Sequence, residues 1–170
     1  MLKKKMDVDV YGKCGKLKCD RANETDCYVM MEQNYKFYLS FENSICEDYV
    51  TEKFFNILKY NVIPVTYNGA NISAIAPPNS YINTLDFSSV SQLAKYLQKV
   101  ASDDELYASY FWWKEFYEVR DRREDMSQSF CEMCDALHND KNNKVYNDLV
   151  KWWVTQSRCK KLHLSWNQSK

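Results

Sequence analysis

The spacing of apolar residues changes period several times along the chain, and each change marks an element. Residues 7–12, Asp7-Val8-Asp9-Val10-Tyr11-Gly12, alternate polar with apolar and end on glycine, which predicts a short strand entering a turn. The polar stretch 14–34, which holds Cys14, Cys19 and Cys27, predicts an irregular loop. The aromatic-rich run Tyr35-Lys36-Phe37-Tyr38-Leu39-Ser40-Phe41 predicts a strand buried on at least one face, with Glu42-Asn43-Ser44 at its carboxyl end. Over residues 51–60, Phe54, Phe55 and Leu58, with Ile57 on the flank, recur at helical spacing, and Thr51 or Asp48 can serve as N-cap. Val62-Ile63-Pro64-Val65-Thr66-Tyr67 is a β-branched strand punctuated by Asn68-Gly69. Strand, helix and strand within residues 35–67 have the length of a βαβ unit, whose crossover implies a parallel sheet.

Beyond Ala76-Pro77-Pro78 the pattern predicts a strand around Tyr81-Ile82-Asn83 and an amphipathic helix from 89 to about 101. Residues 103–119, 127–137 and 146–155 are further helix candidates, the last with Leu149, Trp152 and Trp153 on or near one face. The polar runs 120–128 and 139–144 read as solvated connections, and no repeat or low-complexity segment interrupts the chain. The expected fold class is α/β, a Rossmann-like parallel sheet with flanking helices, in one domain over residues 1–159 with a polar tail at 160–170. A chain of 170 residues suits one well-packed domain and is short for two.

Charge narrows the partners. With 23 basic and 23 acidic side chains there is no net field to steer the chain to nucleic acid or to an anionic membrane. Seven cysteines and the sequons at Asn23, Asn71 and Asn167 point to a lumenal or secreted setting. Met1-Leu2-Lys3-Lys4-Lys5-Met6 leads into Asp7, however, and not into an apolar signal segment, and no run approaches a membrane span. Either the protein is cytosolic, against its cysteines and sequons, or the sequence is a fragment, and the fragment is favoured.

The chemistry concentrates at Phe41-Glu42-Asn43-Ser44 and Asp48-Tyr49-Val50-Thr51-Glu52-Lys53. In an open α/β sheet, ligands sit outside the carboxyl ends of the strands, where this segment falls. Lys53 is the odd residue, because a cation in the first helical turn opposes the positive end of the helix dipole unless an anion binds there. Glu52 offers two acceptor oxygens that match both hydroxyls of a ribose, and Tyr49 and Asn43 add a ring and an amide. Together they describe a nucleoside diphosphate site. The plainer alternative is that Glu52-Lys53 are two solvated charges at a helix start and Asn43-Ser44 a turn.

Phe37-Tyr38-Leu39-Ser40-Phe41-Glu42-Asn43-Ser44, then Asp48 to Lys53, then Val62-Ile63-Pro64-Val65, resembles the signature of the α1,3/4-fucosyltransferase family. The likeness continues through Pro77-Pro78-Asn79-Ser80-Tyr81-Ile82-Asn83, Asp86-Phe87, Leu93-Ala94-Lys95-Tyr96-Leu97 and Tyr107 to Trp113 with its Tyr-Phe-Trp-Trp, so that residues 7–159 resemble the C-terminal part of such an enzyme. The resemblance implies the C-terminal, GDP-fucose-binding half of a GT-B glycosyltransferase, with Glu52 on the ribose, Lys53 on the diphosphate, and Tyr49 and Asn43 lining the donor pocket. It implies inverting transfer from GDP-β-L-fucose to a GlcNAc hydroxyl of a glycoprotein N-glycan. No tightly bound cofactor is implied, and the divalent-metal requirement is left open. The acceptor-side base is expected on the N-terminal half, so no residue here is assigned as catalytic and the chain alone is not expected to transfer fucose. The implied setting is the Golgi lumen, within a single-pass type II membrane protein whose anchor lies outside this sequence.

The cysteine-rich start around Val10 to Cys19 and the tail from Lys151-Trp152-Trp153 to Cys159 lean toward members acting on the N-glycan core. Within the family, Cys131-Glu132-Met133-Cys134 resembles a staple to the N-terminal half. By itself it is an incomplete zinc site, since neither His138 nor His163 completes it, and neither histidine has a nucleophile placed with it. Among Cys14, Cys19 and Cys27 a local disulfide is expected, Cys14 to Cys19 being the first choice. The Tyr110-Phe111-Trp112-Trp113 run reads as packing more than sugar stacking. Two other readings stay open: a non-catalytic lumenal GDP-sugar-binding protein, and an intracellular nucleotide-binding module.

Overall fold

The computed structural model describes residues 2–19, 24–120, 122–142 and 145–160. Its centre is a three-stranded parallel sheet: β1 (Phe37–Phe41), β2 (Ile63–Tyr67) and β3 (Ile82–Asn83), in that spatial order. Helix α1 (Glu24–Asn34) precedes the sheet, and α2 (Glu52–Leu58) joins β1 to β2. The expected βαβ unit is therefore present, with Phe37 opposite Ile63 and Phe41 opposite Tyr67.

β2 is buried from Ile63 to Thr66 because neighbours cover both its faces and both its edges. Pro64 in this central strand has a specific explanation. The Ile63 N–H donates to the Lys36 carbonyl beside β1 (3.0 Å), so the alternate position, Pro64, turns its nitrogen toward β3. β3 begins only opposite Val65, and no ladder bond is lost.

Helix α3 (Val90–Ser102) covers one face with Leu93, Leu97 and Val100, which join Ile63, Val65 and Ile82 in one core. Ser89 caps it, its hydroxyl accepting from the Gln92 N–H. A second core gathers Phe54 and Leu58 of α2 with Ile72, Ala76 and Trp113. The spacing that predicted this face of α2 holds for Phe54, Ile57 and Leu58, whereas Phe55 is exposed.

Several expectations are corrected. Residues 7–12 form no strand; Tyr11 makes only an isolated bridge to Leu17. The segment expected to be a loop contains α1, because Cys27 is tied to Cys19, Tyr28 stacks on Tyr60 and the Glu32 carboxylate accepts the Asn61 N–H. These tertiary anchors sit on a helix with little amphipathic pattern, so periodicity alone missed it. The local disulfide is Cys19–Cys27 and not Cys14–Cys19, and Cys14 is an exposed thiol. Residues 103–119 are not one helix: α4 (Asp104–Ala108) gives way to a 3-10 turn, Ser109–Glu115. The tighter winding aligns positions three apart, and Tyr110 and Trp113 reach the two cores from it. The polar run 120–128 is no connection either, since α5 (Arg122–Asn139) starts within it. Finally, α6 (Leu149–Lys151) passes into a π-helical turn, Trp152–Gln156, where one α-helix was expected.

The packing of the tyrosines sets an alkaline limit. Burial pushes the Tyr107 phenol up to about 12, with Glu32 adding to the shift. Tyr110 is raised by burial and then by its hydrogen bond with Tyr96 (2.7 Å), and Tyr35 is raised by its bonds with Tyr11 and Asp9. A phenol whose folded value is raised contributes stability fully present below the ordinary value of 10.0 and lost as pH rises through the folded value. Denaturant midpoints should therefore hold up to pH 10.0 and fall steadily toward about 12. Paired spectrophotometric titrations should show tyrosinate forming later in the native chain than in the unfolded one.

Candidate functional site

Each strand of the sheet is followed, at its carboxyl end, by a buried polar side chain: Glu42 after β1, Asn68 after β2 and Thr84 after β3. Buried polar groups are costly unless satisfied, so such a row asks what each one meets. Glu42 is well supplied. One carboxylate oxygen accepts the Thr51 N–H (2.8 Å), the Thr51 hydroxyl lies 3.0 and 2.9 Å from the two oxygens, and the Lys53 ammonium donates to Oε2 (3.3 Å). Asn68 Nδ2 and Thr84 Oγ1, in contrast, are buried with no hydrogen-bond partner among the described residues.

The surrounding chain is shaped to this edge. The buried hydroxyl of Ser40 donates to the Lys53 carbonyl (2.9 Å) and pins the first turn of α2 against β1. Asp48 turns the β1–α2 loop with φ 58, a left-handed conformation that a short polar side chain tolerates. Gly69 follows because the loop lies on top of it: a Cβ there would stand 2.7 Å from the Cys46 carbonyl oxygen.

The four residues expected to bind a nucleotide lie on this one loop and helix start. Asn43 is exposed just past β1, Tyr49 is half-buried, Glu52 is exposed as the first residue of α2, and Lys53 is half-buried beside it. Neither Asn43 nor Glu52 is engaged by another described side chain. Thr51 occupies the N-cap position, but its hydroxyl serves Glu42 and not the helix. The account of Lys53 is also corrected: its charge is already countered by Glu42, with the Thr51 hydroxyl 3.5 Å from the ammonium. An ammonium has three donors, and the Lys53 side chain keeps 26% of its surface exposed, so it is held in place and still able to meet an anion.

Sequence reasoning includes Glu42 in the informative stretch without giving it a role, and misses Asn68 and Thr84. Their common signal is a polar residue directly after a buried strand.

A second wall stands against the loop. The C-terminal segment returns so that Cys159 is bonded to Cys46, the Lys160 N–H donates to the Ile45 carbonyl (2.7 Å) and the Glu47 N–H to the Ser157 carbonyl (2.8 Å). Arg158 adds an ion pair to Glu47 at 3.1 Å. Between loop and segment lies a cleft of about 700 Å³, walled by Tyr49, Asp48, Trp152, Trp153 and Gln156. The pairing of Cys46 with Cys159, separated by 113 positions, was not foreseen. Cys131 and Cys134 are exposed thiols, and His138 is exposed near the end of α5. Asn71 is exposed, its side-chain oxygen accepting from the Ser73 hydroxyl (2.6 Å); the sequons at Asn23 and Asn167, like His163, lie outside the described residues. Among the described residues no group of three or more His, Cys, Asp or Glu gathers to hold a metal, and no helix is long and apolar enough to cross a membrane.

Comparison with known proteins shows the family. The family described as "Glycosyltransferase family 10 (fucosyltransferase) C-term" matches residues 1–152. An α-(1,3)-fucosyltransferase C of Drosophila melanogaster is 43% identical over 155 residues, covering 89% of this chain and 35% of the relative. A glycoprotein 3-α-L-fucosyltransferase A of the same organism is 41% identical over 164 residues, 93% of this chain and 32% of the relative. The chain thus spans about a third of the length of these relatives. In three dimensions it is similar to a solved α1,3-fucosyltransferase with GDP-fucose, at a TM-score of 0.54 and 21% identity, over 78% of this chain and 38% of that one. That likeness carries the fold: the chain has the architecture of part of a GT-B enzyme.

Proposed function

Since this chain belongs to glycosyltransferase family 10, the fucosyltransferases, and covers its C-terminal region, we propose that it supplies the GDP-fucose site of an inverting α1,3-fucosyltransferase. The observation that carries the reading is the buried Glu42 beneath Lys53 at the carboxyl edge of a parallel sheet. A buried carboxylate that orients a partly exposed ammonium, on the edge where α/β sheets take their ligands, is a preorganised phosphate contact. Glu52 beside it has a free carboxylate for the ribose hydroxyls, and Asn43 and Tyr49 flank the sugar.

In the reaction, an acceptor hydroxyl attacks the anomeric carbon of fucose as the bond from that carbon to the β-phosphate oxygen breaks. GDP leaves with the bonding electrons, and the acceptor's proton goes to a general base. Lys53 acts on the leaving group, where negative charge develops. No residue of this chain is assigned as the base; on this reading it belongs to a part of such enzymes that these residues do not span.

The acceptor we favour is GlcNAc of a glycoprotein N-glycan, at its core, which fits the name carried by one 41%-identical relative. The Golgi lumen is the favoured setting. Two disulfides, Cys19–Cys27 and Cys46–Cys159, and an exposed sequon at Asn71 support an oxidising, glycosylating compartment.

Calorimetric titration of GDP tests the donor reading. Glu52→Ala and Lys53→Ala should each lose a charge-assisted contact worth about 1.5–3 kcal/mol, roughly a 10- to 150-fold weaker Kd. Wild-type affinity in both variants would refute the assignment of these residues.

A further inference from the structure

The cleft between the β1–α2 loop and the C-terminal segment has chemistry that nucleotide binding does not use. Its volume, about 700 Å³, lies in the range of small-molecule sites, roughly 300–1,000 Å³. Trp153 forms one wall with 65% of its surface exposed, and Trp152 sits beside it. Exposed indole faces beside polar groups are suited to stacking on a ligand.

The backbone holds these rings deliberately. They open a π-helical turn, a rare winding found frequently at functional sites. Beyond it Arg158 takes φ 45, in the left-handed region, and this brings Cys159 onto Cys46. The disulfide, the two backbone bonds and the Glu47–Arg158 pair keep the tryptophans facing the loop.

Ring geometry selects the ligand. The planes of Trp152 and Trp153 meet at 57° with centroids 5.9 Å apart, so they form a corner and not a slot. A flat base can stack on only one ring of such a corner at a time, whereas a puckered pyranose can set C–H groups against both. Asp48 and Gln156 on the rim can bond ring hydroxyls, the exposed carboxylate accepting from two of them. Tyr49 lines both this cleft and the proposed donor site, which puts the two side by side.

We propose that this cleft is a pyranose-binding subsite, which holds a sugar of the acceptor glycan against Trp152 and Trp153 next to the donor. The inference rests on the donor reading for the identity of the glycan as acceptor. It gives the C-terminal segment a part in acceptor choice.

The test uses the whole 170-residue chain and two probes in separate titrations, N,N′-diacetylchitobiose and GDP, followed by saturation-transfer NMR. Trp153→Ala should weaken chitobiose binding about three- to tenfold, the scale of one lost aromatic contact, and leave GDP affinity unchanged. Trp153→Phe should restore most of the loss; because Trp153 is exposed, neither change touches the core. Chitobiose that fails to bind the wild-type chain, or binds Trp153→Ala equally well, would overturn the proposal. So would a loss of GDP affinity in Trp153→Ala, which would make the corner part of the nucleotide site. Failure of GDP to bind the wild-type chain would count against the donor reading alone, whatever chitobiose does.

Discussion

Cys46→Ser should lower the stability of the chain by on the order of 4–5 kcal/mol, the chain-entropy value for a closed loop of about a hundred residues. The bond joins positions 113 apart, and that interval contains β2, β3 and helices α2 and α3. In a protein of this size such a loss corresponds to a drop in Tm of roughly 10–20 °C. The change is also local. Without the bond, the C-terminal return depends on the Lys160 and Glu47 backbone bonds and on the exposed Glu47–Arg158 pair, which is a weak tie in water. Hydrogen exchange at the Glu47 and Lys160 amides should therefore accelerate more than exchange in β2. Differential scanning calorimetry and exchange mass spectrometry on Cys46→Ser and Cys159→Ser would check both parts. An unchanged Tm in both variants would mean that the return is held by something other than this bond.

Glu42→Ala is expected to have the second-largest effect, about 3 kcal/mol of stability. The carboxylate is buried and meets the Thr51 amide, the Thr51 hydroxyl and the Lys53 ammonium at once. Its removal leaves a buried amide without an acceptor and a cation without its counter-charge. Lys53 can partly escape to water, and for that reason the estimate stays at the low end for a broken buried pair. Nucleotide affinity should fall as well, since Lys53 would no longer be held toward the edge of the sheet. Glu42→Gln separates the two effects: it keeps an acceptor for the Thr51 amide, so most of the stability should return, while the loss of charge pairing should still loosen Lys53. Urea denaturation and GDP titration on both variants give the two readouts. Equal stability of Glu42→Ala and wild type would show that the cluster is incidental.

The extent to which the fold could be read from sequence followed the source of order in each segment. β1, α2, β2 and α3 are specified by their own patterns: Phe54, Ile57 and Leu58 recur at helical spacing, Ser89 caps α3, and Val62 to Tyr67 forms an apolar β-branched run. Helix α1 has no such pattern. It depends on a covalent tie to nearby Cys19 and on Tyr60 and Asn61, which lie about thirty positions away and outside any local window. The break at Ser109 has the same origin, since Tyr110 and Trp113 answer to two different cores.

At the candidate site, the residues with unusual placement were legible. Lys53 stood out because a cation at a helix start is unfavourable. What balances it was not legible, because a carboxylate eleven positions earlier reaches it only through the fold. The same holds for Cys46, whose partner is set by a long return of the chain. Asn68 and Thr84 became notable only once burial had been established.

The central claim is that a nucleotide diphosphate binds at the carboxyl edge of this sheet, on the loop and helix start that Glu42 organises. Mapping amide chemical shifts of the isotopically labelled chain during a GDP titration tests it most directly. The account predicts saturable shifts that are largest at Asn43, Tyr49, Glu52 and Lys53, extend to Asn68, and leave the lysine cluster Lys3, Lys4 and Lys5 unmoved. Shifts concentrated at those surface lysines, or none at residues 42–53 under saturating GDP, would contradict it.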